Sequence, residues 1–538
     1  MPTPRSHGGA ALLPFNIPAP GGAGLNTEVE SGLMPPAWAT VLKNAVYDSS
    51  GRLSVRKGWV SQTTSAVAGV VMRVHEYVKA DGTTETISST DADIFKGAAT
   101  PTSVEGTLAI SEGNIKFVNF NDKCIALGTG TSANPSVYTG TGNFTTVTVA
   151  TGTAPTSGIG TSAFGRLWVV DSDGNTIRYS ALIDETKWAQ ADGGGTINMS
   201  KIWPAGQDQV VAIEEFAGDL VIFGRKNIVI WTDGQGSDLG INPLIMYVAD
   251  TVPGVGCLSQ FCITRAQGDM WFLSDSGVQT LSRALQDKTT PTNNVTKNVQ
   301  SKVLDYIVQN ATYDDLTLVH SPREDFVLLI FPGSNKVICF DTRRQMEDGT
   351  YRITEWVTDL QTATYFKDRE LYGSITGTVG EIQKHLQFAD DGTAYDFSYS
   401  SGWLDFGPEA NAYLKFVKRM STFVFVEAST EINFSLYYDY NTNPRTESVS
   451  TTGAAGGGLF DVSEFTGSDT LAADIGYADP DGTPLVETEF GGGVALRRLQ
   501  VYGQGGGQYL KVGCNLNTAS SNFALQQINI YARVGRMA

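Results

Sequence analysis

The stretch from Val210 to Asp233, VVAIEEFAGDLVIFGRKNIVIWTD, constrains this chain most, because the chain repeats it. It holds an apolar run, a turn at Ala217-Gly218-Asp219, the run Leu220 to Phe223, a turn from Gly224 to Asn227, and the run Ile228 to Trp231. Short β-branched and aromatic runs divided by Gly, Asp and Asn turns predict an antiparallel meander rather than a helix pair. Aligned on Leu220, the phrase recurs at Leu167, Met270, Phe326 and Leu371, more loosely at Cys124, and most weakly over residues 81–95. From Cys124 onward the steps are 43, 53, 50, 56 and 45 residues. Four-stranded propeller blades repeat about every 40–50 residues. The expected fold is therefore all-β, a β-propeller of six or seven blades over residues 60–388. A large sandwich with similar hairpins is the competing architecture.

From about Ala389 the pattern changes to longer strands between Gly-rich loops, expected at residues 414–427, 431–440, 494–503, 508–516 and 523–533. Their rough period-2 alternation predicts a β-sandwich-like domain over 389–538. The loop 448–468, rich in Gly, Thr and Ser, is expected to be mobile or ordered by a partner. Residues 1–27, rich in Gly, Pro and Ala, read as a flexible arm. One helix is expected inside the propeller, where Val295, Val299, Val303, Leu304 and Ile307 fall at helical spacing, covering its own blade or docking a neighbour.

Composition removes several function classes. The chain of 538 residues has 59 Gly, 17% charged residues and a net charge of −18, which argues against a surface that grips nucleic acid broadly. Its five cysteines are scattered and form no metal-ligand spacing, as expected of reduced thiols in a protein made in a cytoplasm. No apolar run approaches a membrane span, so no stable membrane insertion is expected. The tetrad Ala10 to Leu13, stopped by Pro14, is no secretory core. His7, His75, His320 and His385 form neither a metal pair nor a nucleophile–base arrangement, so no cofactor, metal or catalytic residue is expected. Asp171, Asp173, Gly174 and Asn175 open like a calcium loop but lack the distal carboxylates, which predicts a hairpin turn. Gly503 to Gly507 lacks the Lys-Ser/Thr of a phosphate loop and reads as a strand connection.

Residues 28–59 are the most specific segment: a Pro35-Pro36 opening, a candidate short helix over 38–44, a strand, the turn Ser49-Ser50-Gly51, and the basic strand Arg52 to Trp59. Its Asn-Ala-x-x-Asp, Gly-Arg-Leu and Arg-Lys-Gly phrases resemble the N-terminal signature of the tail nozzle proteins of short-tailed bacteriophages, the tail tubular protein B and packaged-DNA stabilisation proteins. The matching residues are Pro35, Pro36, Asn44, Asp48, Gly51, Arg52, Leu53, Arg56, Lys57 and Gly58. The closing residues 523–536 resemble that family's last strand. The resemblance implies a structural virion protein of the tail, made in the host cytoplasm. Six copies would form a ring beside the portal-proximal adaptor and the tail fibres or spikes, with double-stranded DNA passing through. The signature also reads as an ordinary hairpin that closes the propeller on its last blade, with Arg56 and Lys57 as solvated strand-edge charges rather than DNA contacts. The alternative from another class is a propeller that binds or hydrolyses host-surface glycan. For it, two carboxylates would have to converge from separate blades, or Trp188 and Trp203 would have to form a stacking platform.

Overall fold

The computed structural model describes residues 12–537 apart from 112, 130–133, 205, 234–241, 289–293, 367–370, 376, 383–386, 408–410, 427–429, 452–494, 504 and 519–521. The chain divides into two compact units, one formed by Trp59–Lys384 and the other by Met1–Gly58 with His385–Ala538.

The unit Trp59–Lys384 is a β-propeller. Its first four blades are four-stranded antiparallel meanders, opening at Arg73–Val78, Lys116–Phe120, Gly160–Ala163 and Val210–Phe216. The fifth, Ile263–Ala266, Asp269–Ser274 and Gly277–Thr280, has three strands, because the chain turns into the helix Leu281–Asp287 where a fourth would lie. A further meander runs over Thr317–Ser321, Phe326–Phe331, Lys336–Gln345 and Tyr351–Val357. The last sheet contains Thr362–Tyr365, Leu371–Ile375 and Thr378–Ile382. The expected six or seven blades are thus six separate sheets plus the meander that enters at Thr317. The inner strand of that meander meets its neighbours on both sides, through Leu318 N–H to Phe261 O and through Thr317 Oγ1 beside Thr362 Oγ1.

One turn explains why the repeat could be read at all. In the second to fifth blades the first two strands are joined by two residues that both take positive φ: Asn121-Asp122, Phe164-Gly165, Ala217-Gly218 and Gln267-Gly268. That conformation matches the twist of the strands it joins. It puts Cys124, Leu167, Leu220 and Met270 one residue into the second strand of their blades, each fully buried. Phe326 and Leu371 open the second strands of their sheets, and Phe326 is buried. Blades then pack face to face. Trp168 and Ile177 of the third meet Ile213 and Leu220 of the fourth, and Val74 of the first meets Phe366 and Val379 of the last. Trp59–Ser61 completes the last sheet by pairing with Gly380, Glu381 and Ile382, so the ring is closed by its earliest strand.

The expected helix forms as a 3-10 turn Lys297–Val299 and an α-helix Gln300–Val308. Val295, Val299, Val303 and Ile307 are buried. It covers its own neighbouring meander, where Lys302 and Tyr306 both engage the buried Glu355.

The other unit is sandwich-like, and two expectations about it are corrected. The domain is not confined to 389–538. Ala45–Tyr47 and Leu53–Val55 pair with each other, and Leu53–Val55 pairs with Phe523–Met537, which makes residues before Gly58 part of the same sheet. The arm is not free over its described part either: Leu12–Ile17 pairs along Phe523–Met537, because Leu13, Phe15 and Ile17 alternate toward the core. The second layer runs Trp38–Lys43, Tyr395–Ser401, Leu510–Thr518, Thr430–Tyr438 and Arg445–Thr451. Phe397 and Phe523 meet between the layers with ring centroids 5.4 Å apart.

The candidate helix over 38–44 is a strand. Trp38, Thr40 and Val41 favour extended backbone, and Trp38–Lys43 gains ladders on both sides, antiparallel to Tyr395–Ser401 and parallel to Gly24–Leu25. Residues 448–451 of the expected loop belong to the strand Arg445–Thr451, and 452–468 lie outside the described residues.

Candidate functional site

Of the signature residues, Asn44, Arg56 and Gly58 meet at one buried polar cluster, and the others lie in the turn, hairpin and core beside it. Pro35 and Pro36 are exposed in a turn in which Trp38 N–H donates to Pro35 O at 3.0 Å. Asp48 caps the following hairpin. Its Oδ1 accepts the Ser50 and Arg52 amides, both at 2.9 Å, its Oδ2 lies 2.5 Å from Arg52 Nε, and Gly51 supplies φ +78°. Leu53 is buried in the core.

Arg56 is the centre. It is 2% exposed, so it is not a solvated strand-edge charge. Its guanidinium holds Asp390 through two parallel bonds of 2.8 and 2.6 Å, and Nε donates to Asn44 Oδ1 at 3.1 Å. Its face lies 4.0 Å over the Tyr395 ring, whose hydroxyl donates to Arg56 O. Burial pushes the Tyr395 phenol up from its ordinary range, so it stays a donor. Asn44, at φ +52°, returns its amide to Asp396 O at 2.8 Å. Gly58 has no room for a side chain, since a Cβ would stand 1.9 Å from Ala389 O. These contacts bind the segment that leaves at Gly58 to the segment that returns after His385, and they occupy the donors that Arg56 would need for phosphate. Lys57 is half-buried beside it.

The propeller has an axial cavity of about 400 Å³, walled by inner strands of several blades. Arg73, 5% exposed, dominates it. Its Nη1 donates to Thr317 Oγ1 at 2.7 Å and Thr362 Oγ1 at 3.1 Å, its Nη2 donates to Asp314 O, and its face lies 3.6 Å over Phe261. Desolvation lowers its pKa to about 10, which leaves it charged at neutral pH. Lys116 and Arg265 are neutralised by Glu214 at 3.0 Å and Glu215 at 2.7 Å. Among the described residues none that lines the cavity is a carboxylate; Glu214 and Glu215 approach it only through their ion pairs with Lys116 and Arg265.

His75 and His320 both line this cavity. His75 shares a hydrogen bond of 3.2 Å with Asn119 Oδ1 and stacks on Phe117, while burial lowers His320. Desolvation, aided by Lys116 and opposed by the Asn119 bond, lowers the His75 pKa to about 4. The sign of the linkage follows. Above pH 6.5 the ring is neutral in folded and unfolded chain alike. Between 6.5 and 4 only the unfolded chain takes up the proton, so stability falls, and below 4 it levels off. The expected loss is on the order of 2 kcal/mol, since each tenfold in proton affinity is worth about 1.4 kcal/mol and the open side of the half-buried ring is screened by water. His75→Gln, which keeps a donor toward Asn119, should lack this component in urea unfolding compared at pH 7 and pH 4. An NMR titration that places His75 near 6.5 would contradict the assignment.

The other sequence candidates are structural. Trp188 and Trp203 are buried, their indole N–H groups donating to Glu185 O at 2.9 Å and Asn175 Oδ1 at 3.1 Å, so neither offers a stacking platform. Asp173 closes a hairpin turn by accepting the Asn175 and Thr176 amides. All five cysteines are free and buried, and burial pushes each thiol up, away from a reactive thiolate. Among the described residues no three His, Cys, Asp or Glu are placed to hold a metal ion. His7 and His385 lie outside the described residues. The sequence reading missed Arg73; the signal was a lone arginine opening the strand Arg73–Val78 at an inner-strand position.

No family model matches the chain, and no curated protein matches it. Among solved structures it is similar to streptogramin B lyase, at 12% identity and TM-score 0.36, over 59% of this chain and 95% of that one. The Cps50 (Swd1) β-propeller domain of Myceliophteria thermophila is similar at 9% identity and TM-score 0.36, over 59% and 98%. PorZ, a surface component of the type-IX secretion system of Porphyromonas gingivalis, is similar at 10% identity and TM-score 0.30, over 74% of this chain and 46% of that one.

Proposed function

We propose that this chain is a structural subunit of the tail nozzle of a short-tailed bacteriophage. In this reading copies form a six-fold ring next to the adaptor, tail fibres or spikes dock nearby, and the genome is retained and then ejected through the channel. The observation that carries the reading is the cluster around Arg56. Signature residues read from the sequence resemblance alone, Asn44, Arg56 and Gly58, converge on one buried cluster with Asp390 and Tyr395. A signature that serves a mechanical fold would be built this way, with charge and ring contacts that hold crossing segments rather than groups that present themselves to a substrate. The propeller closes on its earliest strand, which leaves its last sheet without an open edge there and suits a part that must bear load.

The glycan-hydrolase alternative has less support, because among the described residues the lining of the axial cavity supplies cationic and hydroxyl groups and no carboxylate, while Glu214 and Glu215 are engaged by Lys116 and Arg265. The test is the number of copies around the channel in isolated tails. Six copies would support the nozzle, and a chain absent from the tail would remove it.

A further inference from the structure

The seven-stranded sheet of the sandwich-like unit differs in charge from the rest of the chain. Overall, 56 acidic residues outnumber 38 Lys and Arg. Yet its strands Leu12–Ile17, Ala45–Tyr47, Leu53–Val55, Tyr413–Val426, Ala495–Val501, Gly506–Gly507 and Phe523–Met537 contain no Asp or Glu. They do contain Lys415, Lys418, Arg419, Arg497, Arg498, Arg533 and Arg536.

Register places three of these arginines on one face. Alternation sends Met420, Thr422, Val424, Leu499, Ile528 and Ile530 into the core. On the opposite face Arg498 pairs with Phe423, Arg419 with Tyr531 and Arg533 with Phe416. Arg498 and Arg533 are exposed, and Phe416 is 42% exposed. The Arg419 guanidinium lies 4.5 Å over the Tyr531 ring and that of Arg498 5.8 Å from the Phe423 centroid. Arg498 Nε donates to Ser421 Oγ at 2.7 Å. No ion pair to Arg419, Arg498 or Arg533 forms among the described residues, and Arg419 Nε is buried without a partner.

We propose that this face binds the phosphate backbone of duplex DNA. Three cations without an ion pair among the described residues, on a net-acidic protein, repel one another and attract a polyanion; a carboxylate on the same face, Asp48, is already paired with Arg52, which lies 4.0 Å over Phe425. Arg419 and Arg498, steadied on rings, present planar, pre-organised donors that fit phosphate oxygens. The Tyr531 and Phe423 rings beside two of them are less free to stack unpaired bases, which favours duplex over single strand. From the register of Phe416 to that of Phe423 the arginines span about 20 Å at roughly 3.3 Å per residue. One DNA strand offers a phosphate every ~3.4 Å along the helix axis, so each arginine can reach its own. Few contacts mean a hold that salt weakens readily. The choice of DNA among polyanions rests on the nozzle reading; the attraction itself rests on the sheet.

The test uses the purified full chain and a fluorescent 30-base-pair duplex, with binding read by anisotropy. Three phosphate contacts predict an affinity that falls about 40-fold between 50 and 200 mM salt. The double variant R498Q/R533Q, altered at two exposed positions, should melt like the parent. It should bind at least tenfold more weakly at 50 mM salt, with the salt slope reduced by about two. Equal binding by parent and variant, no binding at 50 mM salt, or equal affinity for polyglutamate would each overturn the proposal. If the duplex binds as predicted but tails never show six copies around a channel, the nozzle reading falls and this face stands. If the ring is found and the duplex does not bind, this face alone falls.

Discussion

Arg56→Met should destabilise the sandwich-like unit by about 3–5 kcal/mol, the cost of removing one partner from a buried, hydrogen-bonded ion pair. Asp390 would lose two bonds of 2.8 and 2.6 Å, and Asn44 Oδ1 the Arg56 Nε donor. The loss is a large share of the roughly 5–15 kcal/mol by which whole domains are stable. Arg56→Lys should recover only part of it, because an ammonium keeps the charge but cannot match both carboxylate oxygens while lying on the Tyr395 ring. Asp390→Leu alone should be nearly as harmful, and the double variant less harmful than the sum of the two. Urea unfolding gives the energies. Hydrogen exchange locates them, with protection lost first in Ala45–Tyr47 and Leu53–Val55. A loss below about 1 kcal/mol, the range of a solvated surface pair, would show that the cluster does not hold the fold.

Val60→Pro should open the propeller. Gln62 N–H donates to Val379 O at 2.9 Å, and alternation along the ladder makes Val60 and Glu381 the next hydrogen-bonded pair. Proline removes that donor and costs about 3 kcal/mol or more inside regular structure. Because Trp59–Ser61 is the outer strand of the last sheet, the damage should pass to the seam where Val74 packs on Phe366 and Val379. Val60→Thr keeps the donor and a β-branched side chain and should be close to neutral. Exchange rates in Thr378–Ile382 distinguish the two: fast in the proline variant, slow in the threonine variant. Equal protection would mean that the ring does not depend on this closure.

The sequence was most readable where structure is local. The blades were legible because a two-residue turn with both residues at positive φ recurs at the same place, from Asn121-Asp122 to Gln267-Gly268. Long strands such as Tyr413–Val426 and Thr430–Tyr438 could be placed within about two residues from alternation. Trp38–Lys43 was misread because a Pro-Pro opening and a short apolar run suit a helix start as well as a strand; its ladders come from distant chain. Arg56 was misjudged for the same reason: Asp390 stands 334 residues away, and no local pattern marks such a pairing. The axial cavity was invisible because Arg73, Phe261, Thr317 and Thr362 come from separate blades. Arg56 and Lys57 are the basic residues that local sequence offers for DNA contact, whereas Arg419, Arg498 and Arg533 share a face only when strands far apart in sequence are laid side by side in register.

The most direct measurement of the central claim is electron-microscopic imaging of tails isolated from the phage particle, with this chain located by a bound tag. The account predicts six copies around an open channel, next to the adaptor ring. Tails without the chain, or copies placed away from the channel, would contradict it.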